Sequence, residues 1–266
     1  MVLQVSHEDC QMLSGRGCRV TALKRTDASP TLGRMEGAVT RLFTKSAVVS
    51  QSRWLGERFH LVTLSGDALR GVRWSPGDKV QVAVGGWAYR TYTPLFWDSA
   101  VGHTQLLVFL HGEGPGAAWG KALQVGDSCA LFGPRSSVDL DSLERPVLLF
   151  GDETSFAVSH ALRSTSAGSS KVRLVYEVAS KKAAQGVLAQ LGITDFDLVE
   201  RTADDSHLDE VERIAIEHVQ ARSITSCALT GKASSIQRLN KQLRSRGLTG
   251  KIRTRAYWSP GKQGLD

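Results

Sequence analysis

Five short stretches of this 266-residue chain carry side chains whose types and spacing suit ligand chemistry. The first is Tyr89-Arg90-Thr91-Tyr92-Thr93-Pro94. Residues two apart on a strand share a face, so Arg90 and Tyr92 stand together and Thr93 turns to the other side. A guanidinium holds a pyrophosphate through two directed bonds. A tyrosine offers a flat ring and a hydroxyl, and Thr91 and Thr93 add hydroxyls nearby. Pro94 removes the next backbone donor, which suits a strand end facing a ligand. The plainer alternative is a solvated edge strand with an ordinary tyrosine.

The second stretch, "LHGEGPGAAWG" (110–120), runs from glycines into a helix. Gly114 and Gly116 let the backbone approach a ligand closely, and Pro115 suits the first helical position. The first-turn N–H groups around Ala117 and Ala118 form an anion site. The alternative is a tight loop before a core helix, with His111 a structural histidine and Trp119 a core residue. In the third stretch, "LLFGDETSF" (148–156), a strand ends at Gly151 and two acids precede a helix. A nucleotide fold places its phosphate loop here, yet the pattern G-x-G-x-x-G is missing. Asp152 and Glu153 repel phosphate and are placed to cap the helix, while Thr154, Ser155 and backbone N–H groups face a ligand.

The fourth stretch is "VASKKA" (178–183). It follows the second strand of the α/β half, where dinucleotide folds meet the adenosine ribose. Ser180, Lys181 and Lys182 suit a 2′-phosphate, or equally a solvated helix start. The fifth is the tail, "GKIRTRAYWSPGKQGLD". Its Lys251, Arg253, Arg255 and Lys262 form a patch for an anionic substrate. The alternative is an edge strand blunted by charge.

The elements that must position these residues fall into two halves. From about residue 34 to 140, short strand candidates recur with turns such as "SPGD" between them: 38–51, 58–66, 78–86, 90–96, 104–111 and 127–133, with one helix at 115–123. This rhythm predicts a small antiparallel β-barrel. After Arg145-Pro146, strand and helix alternate, which predicts a doubly wound parallel sheet. The clearest helix is 206–220. Ser206 and Asp209 give it a capping-box pattern, and Leu208, Val211, Ile214, Ala215 and Val219 an apolar stripe. The expected organisation is a lead-in over 1–33, a barrel domain over 34–142 and an α/β domain over 143–266.

Hydrophobic residues make up 41% of the chain and charged ones 22%, values of a globular protein rather than a disordered one. The net charge of +7 favours anionic partners, but the cations are spread out, which argues against a nucleic-acid arm. Cys10, Cys18, Cys129 and Cys227 form no C-x-x-C pair and no zinc-like spacing, and read as free thiols. The opening "MVLQVSHEDC" lacks the pattern of a signal peptide, and no run approaches about 18 apolar residues, so no membrane span is expected. A cytoplasmic monomer is the default expectation.

In order, "YRTYTP", "VFLHGEGPGAAWGKALQVGDSCALFGPR", "LLFGDETSF" and "RAYWSPG" resemble the siderophore-interacting proteins, a branch of the ferredoxin-reductase-like flavoproteins. The resemblance spans roughly residues 34–266. It implies an FAD-binding barrel, an NAD(P)H-binding domain and reduction of Fe(III) in ferric siderophores to Fe(II). It implies that Arg90 holds the FAD pyrophosphate, Tyr92 lies against the flavin or ribityl, and Thr93 approaches the reactive edge of the ring. His111 and the Gly114–Trp119 turn would complete the FAD site, with Gly151, Asp152, Glu153 and Thr154 bordering the nicotinamide. Iron is held by the chelate, so no protein metal site is expected, and catalysis rests on the flavin. Where the family carries a Trp-x-x-Gly-Glu-like segment, this chain reads "CALTGKASS". Ferredoxin is therefore an alternative donor to NADPH or NADH. The other readings are a flavin-dependent oxidoreductase with a different acceptor and a non-redox FAD-fold protein recruited to biosynthesis.

Overall fold

The computed structural model describes residues 44–86, 88–164 and 171–261. Alternation of apolar and polar residues builds seven antiparallel strands: β1 (Lys45–Gly56), β2 (Phe59–Ser65), β3 (Lys79–Ala83), β4 (Tyr89–Tyr92), β5 (Phe96–Asp98), β6 (His103–Phe109) and β7 (Ser128–Arg135). They form one sheet in the order β4-β3-β7-β1-β2-β6-β5. The expected single strand over 90–96 is two strands, because Pro94 cannot donate to a ladder. Its neighbour Leu95 is fully inside and donates its N–H to the Gln105 carbonyl at 2.9 Å, aligning β5 on β6. Inward residues such as Val49, Val62, Leu64, Val80, Val82, Leu106 and Leu131 pack as one core beneath α1 (Pro115–Ala122). Residues 38–43 of the expected first strand lie outside the described residues, as do the lead-in over 1–33 and Cys10 and Cys18. Cys129 and Cys227 are free thiols, both buried.

The second half alternates as expected: β8 (Val147–Gly151), α2 (Phe156–Arg163), β9 (Val172–Val178), α3 (Lys181–Gln190), β10 (Asp197–Glu200), α4 (His207–Ala221), β11 (Ser226–Lys232), α5 (Ala233–Ser245) and β12 (Ile252–Trp258). All pairings are parallel, in the order β10-β9-β8-β11-β12. β8 and β11 are buried along their whole length, so both read as apolar runs rather than alternating ones. Leu208, Val211 and Ala215 of α4 pack with Ile236, Leu239 and Leu243 of α5 against one face.

The expected capping box at Ser206 does not form. Ser206 already has helical dihedrals (φ −63°, ψ −25°), and its hydroxyl meets that of Thr202 at 3.0 Å. Thr202 takes over the task, its hydroxyl accepting the His207 N–H at 3.2 Å, while His207 Nδ1 accepts the Thr202 N–H at 3.2 Å.

The two sheets share a core. Phe59 of β2 stacks on Phe156 of α2 (5.6 Å between centroids, 8° between planes), and Phe156 meets Tyr176 of β9 edge-on. Leu55, Leu95 and Leu107 from the first half join Val158, Leu162 and Leu174 from the second. Val138, Leu140 and Leu143 of the connection fill the seam. A side chain the size of Phe156, fully buried, is worth about 2–3 kcal/mol. This packing holds the carboxyl ends of β8 and β12 against β4. In parallel sheets, ligands gather at those ends.

Candidate functional site

A cleft of about 380 Å³ opens between the sheets, within the roughly 300–1,000 Å³ typical of small-molecule sites. β4 contributes Arg90, Thr91 and Tyr92, with Thr93 just beyond its end, and the turn into α1 contributes Gly114, Gly116 and Ala117. Phe109 and His111 follow β6 along the wall. Thr154 and Ala157 come from the start of the α/β half, and Tyr257 and Trp258 from the end of β12. Residues from four of the five sequence stretches thus meet in one volume.

Arg90 is folded over the α1 turn. A Cβ on Gly116 would sit 2.9 Å from Arg90 Cγ and 3.2 Å from Nε, so glycine is required for this approach. Arg90 Nη1 donates to its neighbour's carbonyl, Tyr89 O, at 2.7 Å. The Ala117 and Ala118 N–H groups go to the Gly114 carbonyl at 3.0 and 3.1 Å, so the guanidinium and the Gly116 N–H are what this turn offers to phosphate oxygens. Burial raises the pKa of the Tyr92 phenol well above its ordinary value, with Arg90 offsetting part of the rise, so the hydroxyl is a donor at neutral pH. Thr93 is buried beside the Tyr257 hydroxyl, which closes no hydrogen bond of normal geometry. Burial pushes Tyr257 up to about 12.

His111 is held below its ordinary pKa, first by desolvation and then by Arg58 and Arg90, and is neutral at pH 7. Arg58 escaped the sequence reading. Its Nε donates to Leu110 O at 3.0 Å and its guanidinium lies over Phe109, 5.3 Å from the ring centroid. Nothing in "GERFHL" signals that placement, because the partner arrives from β6. Tyr257 and Trp258 carry no individual role in the sequence pattern, and topology alone brings them to the cleft. Ala118 and Trp119 do not line it. Ala118 is exposed, and Trp119 packs against the first core with its ring 5.9 Å from Tyr92.

At the carboxyl end of β8 the acids turn inward. Asp152 caps the turn: Oδ1 accepts the Thr154 N–H at 2.8 Å and the Thr154 hydroxyl. Its Oδ2 accepts the Trp258 indole N–H at 2.7 Å. Burial lifts Asp152 to about 6, against the opposing effect of these hydrogen bonds. Gly151 makes room for this turn, since a Cβ there would lie 2.3 Å from Ser155 Cβ. Gly231 does the same from β11, where φ is +101° and a Cβ would lie 2.5 Å from Asp152 Oδ2. Glu153 accepts the Ala179 N–H at 2.6 Å and pairs with Arg201 at 2.8 Å. Glu177, fully buried, meets His207 Nε2 at 2.8 Å and the Ser235 hydroxyl at 3.0 Å. Lys232 is paired with Asp205 at 2.7 Å.

The other cations expected at the site are scattered. Lys251 Nζ donates to Ser142 O at 3.2 Å, and Arg253 binds Ser142 Oγ at 3.0 Å and Asp139 at 2.8 Å. Both sit at the start of β12, while the cleft meets its other end, about 20 Å away at strand rise. They fasten the inter-sheet connection instead of facing the cleft. Arg255 stands two residues before Tyr257 on β12, nearer the cleft end of that strand than Arg253, without lining the cleft. Lys262 lies outside the described residues. Ser180 caps α3, accepting from Ala183 N at 3.4 Å, and Lys181 and Lys182 are exposed beside it. Among the described residues, no three His, Cys, Asp or Glu side chains converge on a possible metal position.

This donor set fits FAD: a guanidinium and glycine turn for the phosphates, buried phenol and threonine beside a ring-sized space. At the end of β8 the Thr154 and Ser155 N–H groups are taken by Asp152.

The comparisons with known proteins agree with this architecture. Residues 85–138 match the family model described as the siderophore-interacting FAD-binding domain. A siderophore utilization protein from T. fusca superposes with a TM-score of 0.69 at 21% identity, covering 84% of this chain and 95% of its own. The siderophore-interacting protein SipS from Aeromonas hydrophila gives 0.64 at 14% identity, covering 83% and 93%. The FAD/NAD-binding domain of nitric oxide dioxygenase from Vibrio cholerae gives 0.60 at 19%, covering 81% and 99%. No curated protein matches the chain significantly. The fold is thus that of ferredoxin-reductase-like FAD/NAD-binding proteins, and its segment 85–138 matches the siderophore-interacting FAD-binding domain.

Proposed function

We propose that this chain is an FAD-dependent oxidoreductase that reduces Fe(III) in ferric siderophores and releases Fe(II). The observation that carries the reading is Arg90 folded over Gly116 at a cleft lined by Tyr92 and Thr93. Bound FAD would supply the redox chemistry, taking up reducing equivalents and passing single electrons to Fe(III).

The chain's own residues would bind and orient. Arg90 and the α1 turn would hold the pyrophosphate, and Thr91 and Tyr92 the ribityl side. Thr93 would face the polar edge of the ring. Neutral His111 would add a hydrogen bond without a charge. Trp258, fixed by Asp152, would wall the cleft from the α/β side and exclude water. Arg58 and Arg255 would favour an anionic ferric chelate. Of the donors considered, NADPH, NADH and ferredoxin, a single-electron donor such as ferredoxin is favoured, because the end of β8 is occupied by its own carboxylates.

The test is the visible spectrum of purified protein, followed by anaerobic reduction and addition of a ferric siderophore with an Fe(II)-specific chromophore. The expected result is an oxidised-flavin spectrum that bleaches, then recovers as the Fe(II) complex appears. Recovery only with other acceptors would move the reading to a different oxidoreductase. Flavin that no reductant bleaches would favour the non-redox reading, and failure to take up FAD would end the flavin reading.

A further inference from the structure

We infer that the carboxyl end of the parallel sheet is a closed side-chain clamp and does not hold a pyridine dinucleotide. The fold is one in which such a nucleotide would occupy the crevice beyond β8 and β11, with its pyrophosphate on the N–H groups of the first turn after β8. In this chain two of those groups, the Thr154 and Ser155 N–H, are already used. The Thr154 N–H goes to Asp152 Oδ1 at 2.8 Å, and the Ser155 N–H to the Asp152 carbonyl at 2.8 Å. The Asp152 N–H goes to Ser155 Oγ at 3.3 Å. A phosphate would have to displace a buried carboxylate from its own cap and accept its charge as a neighbour.

The cations that might offset that charge are committed too. Arg201 bridges Glu153 and the Glu177 carbonyl, at 2.8 Å each. Lys232, nearly buried, holds both oxygens of Asp205 at 2.7 and 2.9 Å. The bonds also join the loops to one another. Asp152 ties β8 to β12 through Trp258, Glu153 ties β8 to β9 and β10, and Lys232 ties β11 to the start of α4. Room at the sheet end is taken as well, since even a methyl group on Gly231 would collide with Asp152. Three buried carboxylates, Asp152, Glu153 and Glu177, thus crowd the carboxyl ends of β8 and β9, where a phosphate would meet their charge.

The consequence for the proposed reaction rests on the flavin reading. Each Fe(III) reduced to Fe(II) needs one electron and no hydride, so a one-electron iron–sulfur donor balances the step by losing one electron per iron. The structural inference itself is tested without that reading.

The experiment is titration of the full chain, with and without added FAD, by NADP⁺ and NAD⁺. It is followed by calorimetry and by amide hydrogen exchange over residues 151–155. The expected result is no change in exchange at Thr154 and Ser155 through about 1 mM nucleotide, a concentration at which even weak binding registers. Heat without altered exchange there would put the nucleotide elsewhere and leave the clamp intact. Saturable protection or exposure of the Thr154 and Ser155 amides by either nucleotide would overturn the inference. A chain that takes up no FAD would sink the flavin reading, yet the same exchange data would still decide this one.

Discussion

The indole N–H of Trp258 donates to the buried carboxylate of Asp152 at 2.7 Å, joining the last described strand to the first loop of the α/β half across 106 residues. Trp258 lines the cleft, so the orientation of that wall is set by a group whose charge is costly where it sits. The acid is lifted to about 6 from an ordinary value of 3.8, with burial the largest cause.

That shift predicts a pH dependence of stability. The folded state binds the Asp152 proton more tightly than the unfolded chain does. Stability therefore rises as pH falls from about 6 towards 4, and the ionised form costs the folded state at higher pH. That rise corresponds to roughly 3 kcal/mol as an upper figure. Chemical denaturation of wild type and Asp152→Asn at pH 7, 6, 5 and 4 measures it. The wild type should gain relative to the variant as pH falls, and parallel curves would remove the assignment.

Gly116→Ala is expected to weaken FAD retention. The new methyl would press on Arg90 Cγ at 2.9 Å, and the flexible arginine would yield by swinging from the turn. A charge-assisted phosphate contact is worth about 1.5–3 kcal/mol, so FAD affinity should fall at least about tenfold. Arg90→Ala should do the same. Flavin fluorescence on titration reads both, and an unchanged thermal midpoint without FAD would show the barrel core intact.

The fold was legible in the sequence because its signals are local. Turn residues at short intervals and the switch to strand–helix alternation after Pro146 correspond to the two observed sheets. Arg90, Tyr92 and Thr93 were legible for the same reason, since one strand end carries all three. Tyr257 and Trp258 reach the cleft, and Arg58 its Phe109 wall, only through packing of distant strands, which no spacing encodes. Lys251 and Arg253 misled because charge was readable and position along β12 was not. The alternating tail looks equally basic at both ends, but its first cations meet Asp139 and Ser142. Asp152 shows the reverse case: capping was legible as the plain alternative, while the Trp258 partner was not.

The tail cations can be separated by substitution. Arg253→Ala should leave the apparent KM for a ferric siderophore within about twofold. Its exposed pair with Asp139 should contribute little to stability. Arg255→Ala should raise the same KM severalfold, with kcat less affected, because it removes charge near the cleft and not a reacting group. Equal effects of the two would mean the tail attracts substrate only through its summed field.

The Glu177–His207 pair carries the last prediction. Both side chains are essentially sealed, at 0% and 1% exposure, and Glu177 Oε1 has no partner. Glu177 therefore depends on His207 and Ser235 for compensation. His207→Ala removes the nearer partner and strands the carboxylate, which should destabilise by about 3–5 kcal/mol. Glu177→Gln removes the charge while keeping the shape. It should cost far less, and in combination it should recover much of the loss from His207→Ala. Urea denaturation of the two single variants and the double variant reads the cycle. Strictly additive losses would mean that the pair is not coupled, and that His207 serves α4 only through its bond to Thr202.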